Sequence, residues 1–211
     1  MSYDSFAQTF SHSRTNLHWG EIDYLVDFMK GYFGSTTPAL LDVGCGNGRL
    51  IETLDKSSFS GNYLGIDESI GMITEAQKLH GDKQFQVLDM ENVDSLNQTF
   101  DAIVFIASFH HLDTETKRKE VLRKTANLLN PGGIIAMTNW HLLGPAFFPK
   151  YEKSYLGNGD FTIKIGAHSR YYHSFSIDEL AGFFAQTGLS LIENRVTEGE
   201  KNILSIAKKT I

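Results

Sequence analysis

The chain predicts an α/β fold: a single Rossmann-like domain on a seven-stranded, mostly parallel sheet with an antiparallel last strand and helices on both faces. Three observations predict it. Short apolar runs of strand length alternate with amphipathic stretches of helix length. The first apolar run opens directly into a turn carrying Gly44, Gly46 and Gly48, and the chain closes on a helix and two strands with no helix between them. Size agrees, because 211 residues with 41% hydrophobic and 21% charged side chains bury one sizeable core and leave two domains cramped.

The elements follow in order. Helices over Tyr3 to Phe10 and Gly20 to Phe33 form an N-terminal cap, residues 1–38. The first five strands, Ala39 to Val43, Tyr63 to Ile66, Phe85 to Leu88, Ala102 to Ile106 and Ile134 to Thr138, make a core over residues 39–139. Between the last two of these, Thr114 to Leu129 is a helix whose Val121, Leu122, Thr125, Leu128 and Leu129 share one face, stopped by Asn130, Pro131, Gly132 and Gly133. Residues 140–175, rich in glycine and aromatic side chains and poor in periodicity, read as a lid over a substrate rather than a packing element. Residues 176–211 then close the domain. Ser176 to Glu179 is a capping box that leads through Leu180, Phe183 and Phe184 to a stop at Gly188. Strands Leu189 to Arg195 and Ile203 to Lys208 return through Thr197 to Glu200 as an antiparallel hairpin.

Composition excludes several classes. The single cysteine, Cys45, allows neither an internal disulfide framework nor a clustered-cysteine zinc site, and no metal site is expected. The first residues lack the basic and apolar run of a secretory signal, and no window reaches the roughly 18 apolar residues of a membrane span. A cytoplasmic protein without a membrane partner is therefore expected. A net charge of −6 argues against wrapping nucleic acid by bulk electrostatics, and DNA is not an expected partner. Lys117, Arg118, Lys119, Arg123 and Lys124 crowd one helix, either as a solvated face or as an RNA patch.

The most specific motif is Leu40 to Gly48, an apolar strand running into G-x-G-x-G and then a helix from Arg49. Glycines there permit unusual dihedrals and a close ligand approach. A dinucleotide site would favour G-x-G-x-x-G and a pyrophosphate at the helix N-terminus. Asp42 at the strand end would repel a pyrophosphate and welcome an amino group, which points to S-adenosylmethionine, a cation with an α-amino group. Asp67, followed by Glu68, ends the second strand 25 residues after Asp42, near the spacing at which an acid accepts from both ribose hydroxyls. Asp89, followed by Met90, ends the third strand, where a carboxylate can accept from an adenine amino group. Cys45 inside the loop reads as small apolar packing rather than a nucleophile.

LDVGCGNG, the LGID and VLDM strand ends, FDAIVFIASFHHL and LLNPGG resemble the successive motifs of class I S-adenosylmethionine-dependent methyltransferases over about Leu40 to Thr138. The resemblance implies the cofactor across the carboxyl edge of the sheet, releasing S-adenosylhomocysteine. Gly44 and Gly46 would line its amino-acid part, Asp67 the ribose, Asp89 and Met90 the adenine, and Ile106 and Ala107 the far wall. Asp42 would steer the amino group.

Flanking motifs extend the likeness. Phe10 to Arg14 followed by Trp19, Phe109-His110-His111-Leu112, Asn139-Trp140 and Arg170 to Phe175 resemble the tRNA wobble-uridine methyltransferases, which esterify the carboxylate of 5-carboxymethyluridine. The acceptor implied is tRNA, with a small partner protein in the eukaryotic members. A small-molecule acceptor is the alternative, and a non-catalytic cofactor-binding subunit the third reading. A sulfonium methyl is already activated, so transfer needs a lone pair held in line more than a strong base. A carboxylate arrives ionised and calls for cationic and hydrogen-bonding positioners, which Arg14, His110, His111, Arg170, Tyr171, Tyr172 and His173 supply. A neutral amine or phenol would call for a general base, for which His110 or His111 also serves, so residue types leave the acceptor open. One of the two histidines can be purely structural. Tyr171 and Tyr172 pack a lid or touch substrate, and Trp140 anchors the lid or stacks on a base. Residues 150–175 carry four cations against two acids, a thin RNA footprint.

Overall fold

The computed structural model describes residues 19–166 and 168–210. The expected helix over Tyr3 to Phe10 and the candidate Arg14 lie outside the described residues. Helix α1 (Gly20–Phe33) leads into β1 (Ala39–Val43), α2 (Arg49–Lys56), β2 (Asn62–Asp67), α3 (Ile70–Leu79) and β3 (Gln84–Val87). The chain then crosses to β4 (Phe100–Ile106), α4 (Glu115–Leu128) and β5 (Leu129–Trp140). Helix α6 (Ile177–Gln186), β9 (Leu189–Val196) and β10 (Asn202–Lys209) end it.

The main sheet has the order β3-β2-β1-β4-β5-β10-β9. Strands β1 to β5 pair in parallel, and β10 is antiparallel to both its neighbours. Because the chain walks outward from β1 to β3 and then returns to β4 on the other side, strand order reverses between β1 and β4. Open α/β sheets bind ligands outside the carboxyl ends at such a reversal.

Alternation along the central strands divides the core. Leu40, Ala102, Val104, Ile134 and Ala136 face α1 and α2 with Leu25, Met29, Leu50 and Ile51. Leu41, Val43, Ile103, Phe105, Ile135 and Met137 face α4 and α6 with Val121, Leu122, Leu180 and Phe184. Strands buried on both sides read as near-continuous apolar runs, as β1 and β4 do apart from Asp42 and Asp101. The turn expected at Asn130 to Gly133 lies inside β5, where the register to β4 shifts between Phe100 and Ala102. Thr114 caps α4 by accepting from the Lys117 amide at 3.2 Å, and Ser176 caps α6 through Glu179 at 3.0 Å.

One expectation is corrected. Residues 140–175 are not an aperiodic cover but fold as α5 (Phe148–Tyr151) and an antiparallel sheet of β6 (Tyr155–Gly157), β7 (Asp160–Ile165) and β8 (His168–His173). Phe161, Ile163 and Tyr172 bury with Leu142 as a small core of their own, against which Trp140 and Phe147 pack. Period-two burial in β7 drives this, with Phe161 and Ile163 inward and Thr162 and Lys164 outward. The sheet is tied to α6 by His173, whose Nδ1 lies 2.7 Å from Asp160 and whose Nε2 lies 2.9 Å from Glu179.

Phe105 is fully buried and meets Phe109 edge-on at 5.3 Å, while Phe109 stacks on Phe175 at 5.6 Å. Phe105→Ala should cost about 3–5 kcal/mol of stability. Denaturant unfolding checks this, and an unchanged midpoint would contradict the packing.

Candidate active site

The turn after β1 is folded back onto the end of β2. The amides of Gly44 and Cys45 both donate to the Ile66 carbonyl, at 2.8 and 2.9 Å. The Gly46 amide donates to Asp67 Oδ2 at 3.0 Å, and the Ser69 amide to Asp67 Oδ1 at 2.9 Å. Asp67 is thereby held in place by two backbone donors. Gly44 has φ +72°, and a Cβ there would stand 2.5 Å from Ser108 Cβ. Ser108 in turn donates through its hydroxyl to the Val43 carbonyl at 2.5 Å, stitching this turn to the one after β4.

Beneath the loop, the Tyr63 hydroxyl donates to Asp42 Oδ2 at 2.9 Å, while Asp42 Oδ1 is buried and has no partner. Burial pushes the Asp42 carboxyl up to about 7, aided by the nearby Asp67 charge and opposed by Tyr63. Burial likewise pushes the Cys45 thiol well above its ordinary value, so this buried cysteine stays protonated and packs. The chemistry suits S-adenosylmethionine: a buried Asp42 carboxylate oxygen lacking a donor among the described residues, a backbone cleared of Cβ atoms, and a second acid, Asp67, at the end of β2.

The far wall comes from the next strand ends. Asp89, two residues past β3, accepts from the Glu91 amide at 2.9 Å and caps a 3-10 turn beginning at Met90. Ala107, after β4, has φ +51°, a left-handed backbone that its amide's bonds to the Thr138 carbonyl (3.0 Å) and hydroxyl (3.1 Å) hold in place.

An aromatic and cationic group lies beyond. Trp140 stacks on Tyr172 with ring centroids 5.1 Å apart, and the His110 and His111 rings meet edge-on at 4.5 Å. The Trp140 amide donates to His110 Nδ1 at 3.1 Å, and His111 Nδ1 lies 3.0 Å from the Tyr171 carbonyl. Burial holds His110 well below the ordinary histidine range, reinforced by His111 and His173, and pushes His111 down to about 4. Both rings are neutral at pH 7. Burial also lowers Arg170 to about 10, which leaves it a cation.

One cavity of about 310 Å³ joins the two groups. Asp42, Gly44, Cys45, Gly46, Asp67, Glu68, Asp89, Met90, Ile106 and Ala107 line it, and so do His110, His111, Trp140 and Arg170. Tyr171 is corrected: strand alternation puts Tyr172 in the cavity and turns Tyr171 away, its hydroxyl donating to Asp160 at 2.6 Å and accepting from Arg118 at 3.3 Å. Sequence reasoning missed Ser108 and Arg49, the latter lying over the Trp19 ring at 4.5 Å, while Trp19 entered only through its flanking motif.

The basic helix resolves toward a paired surface. Lys117 bridges Glu91 and Asp113, Lys119 pairs with Glu115, Arg123 with Glu120 and Lys124 with Asp94, while buried Arg118 donates to the Leu112 carbonyl. Among the described residues, no helix is long and apolar enough to cross a membrane.

Two outcomes are expected. Gly44→Ala should weaken S-adenosylmethionine binding at least about tenfold, because strain at positive φ adds to the clash with Ser108. Calorimetric titration tests it, and unaltered affinity would contradict the close approach. Asp42 has a folded-state value of about 7 against an ordinary 3.8. Its native form thus binds a proton more tightly than the unfolded chain, so stability is greatest below the unfolded value and falls as pH climbs toward 7. Asp42→Asn should flatten that slope, and parallel wild-type and variant unfolding curves across this pH range would refute it.

Comparison with known proteins shows what the chain resembles. Residues 40–133 match the family described as "Methyltransferase domain". A tRNA (carboxymethyluridine(34)-5-O)-methyltransferase of Arabidopsis thaliana is 33% identical over 140 residues, 65% of this chain and 31% of that protein. The chain thus spans about a third of that relative's length. Among solved structures, an S-adenosylmethionine-dependent methyltransferase from Clostridium acetobutylicum superposes with a TM-score of 0.73 at 15% identity, covering 99% of each chain. CalS10, an amino pentose methyltransferase from Micromonospora echinaspora solved with S-adenosylmethionine bound, gives 0.72 at 18% identity over 96% of each. By its matched segment and its fold, the chain is similar to the S-adenosylmethionine-dependent methyltransferases.

Proposed function

We propose that the protein binds S-adenosylmethionine and methylates the carboxylate of a carboxymethylated wobble uridine in cytoplasmic tRNA, forming a methyl ester. The observation that carries this is the single cavity running from the Asp42–Asp67 rim to a wall of His110, His111, Trp140, Arg170 and Tyr172. A cation, neutral imidazoles and a flat aromatic face suit an anionic group on a stacked base. The Arabidopsis relative bears the name of that activity.

Asp42 would take the cofactor's amino group, Asp67 its ribose hydroxyls and Asp89 the adenine side. When bound, the cofactor supplies an activated methyl group. Arg170, charged and largely buried, would neutralise and orient the incoming carboxylate in a medium where such a pair is strong. Trp140 and Tyr172, stacked at 5.1 Å and parallel to within 10°, form an aromatic wall beside it. The buried setting removes competing water.

A second reading rests on charge. A net charge of −6 and the paired cations of α4 suit a small metabolite better than a long polyanion.

Transfer of labelled methyl into tRNA and small-molecule fractions of a cell extract separates the two. Alkali-labile counts in tRNA are expected, and counts confined to small molecules would reverse the choice. Arg170→Ala should cut transfer about tenfold to a hundredfold with cofactor affinity intact. Unchanged turnover would remove Arg170 from the acceptor site.

A further inference from the structure

His110 and His111 are adjacent in sequence, yet the backbone fixes them in opposite tautomers. The Trp140 amide can only donate, so His110 Nδ1 must carry a lone pair and, in the neutral ring, the proton sits on Nε2. The Tyr171 carbonyl can only accept, so His111 Nδ1 carries the proton and its Nε2 holds the lone pair. His110 is 1% exposed, and its Nε2 is buried with no partner. A buried N–H without an acceptor is a costly arrangement, and here its ring lines the cavity.

We propose that His110 Nε2–H is a fixed hydrogen-bond donor and His111 Nε2 a fixed acceptor, so the substrate pairs an anionic oxygen with a neighbouring N–H or O–H, and His110 does not serve as a general base. This deepens the methyl-transfer reading and rests on it. The acceptor's own oxygen lone pair forms the new O–C bond, the C–S pair stays on sulfur, and no proton moves. A phenol or an ammonium substrate would need a base, and His110 does not supply one. His110 could take a second proton only by giving up the Trp140 amide. Low basicity of both rings, caused by burial, agrees. The charged and titratable groups facing the pair are Arg170 and Tyr172 from β8, His173 at its end, and Asp113 and Lys117 across the cavity.

Long-range 1H–15N correlation on the full chain with 15N-labelled histidine reads the tautomers directly. His110 should carry its proton on Nε2 and His111 on Nδ1, both remaining neutral down to about pH 6. The same tautomer in both rings, the reverse assignment, or an imidazolium at neutral pH would overturn the proposal. Kinetics supply the second arm. At saturating S-adenosylmethionine, transfer to tRNA bearing 5-carboxymethyluridine should vary less than about twofold between roughly pH 6 and 8, whereas a histidine base would give a fall toward acid. His110→Phe should lower kcat about tenfold or more, and His110→Gln, which keeps an N–H donor, should recover part of it. Equal rates in the two variants would overturn the donor role. Correct tautomers with no transfer to tRNA would instead leave the assignment standing and sink the wobble-uridine reading.

Discussion

The site depends on the capture of three loop amides by the end of β2. Gly44, Cys45 and Gly46 all give their N–H groups to Ile66 or Asp67, so the turn after β1 cannot lift away from its neighbour without orphaning buried donors. Parallel pairing of β1 and β2 brings both strand ends to the same rim, and that is what makes the capture geometrically available. The device is repeated one step along. After β4, Ala107 is bent into an unfavourable backbone region and held there by Thr138 of β5, while Ser108 reaches back to Val43. Each turn is thus clasped by the next strand, and the rim behaves as one rigid piece on which charges are placed.

Those charges are few and buried. Asp42 is raised by its surroundings, Arg170 is lowered but still cationic, and the two histidines stay neutral. In a medium of low effective dielectric, each remaining charge acts strongly on whatever enters, and neutral dipoles supply direction without cost of ionisation. The charged groups at the surface behave differently. On α4 the cations are spent on neighbouring acids, in exposed pairs of small individual worth.

Most of the main sheet was legible in the sequence because its strands are buried on both faces and its helices carry caps. The first strand, the first described helix and the capping box at Ser176 fall where local pattern puts them. Boundaries moved where tertiary pairing overrode a local signal: β5 runs through Asn130, Pro131, Gly132 and Gly133 because β4 accepts a register shift beside them. The small sheet was illegible as such, since aromatic residues obscure the alternation of Phe161, Ile163 and Ile165, although Asn158-Gly159 is a hairpin signal. Tyr171 was misjudged for the same reason. Adjacent tyrosines cannot both face a cavity from one strand, and choosing between them needs the register, which only pairing across β7 supplies.

That register gives the short connection between β7 and β8 a role out of proportion to its size. Lengthening or shortening it by a single residue would flip every side chain of β8 to the opposite face, exchanging Arg170 and Tyr172 for Ser169, Tyr171 and His173 in the cavity. The rim of Asp42, Gly44 and Asp67 would be untouched, because it belongs to another sheet. One wall of the cavity can therefore be re-faced through hairpin length alone, with the opposite wall left as it is.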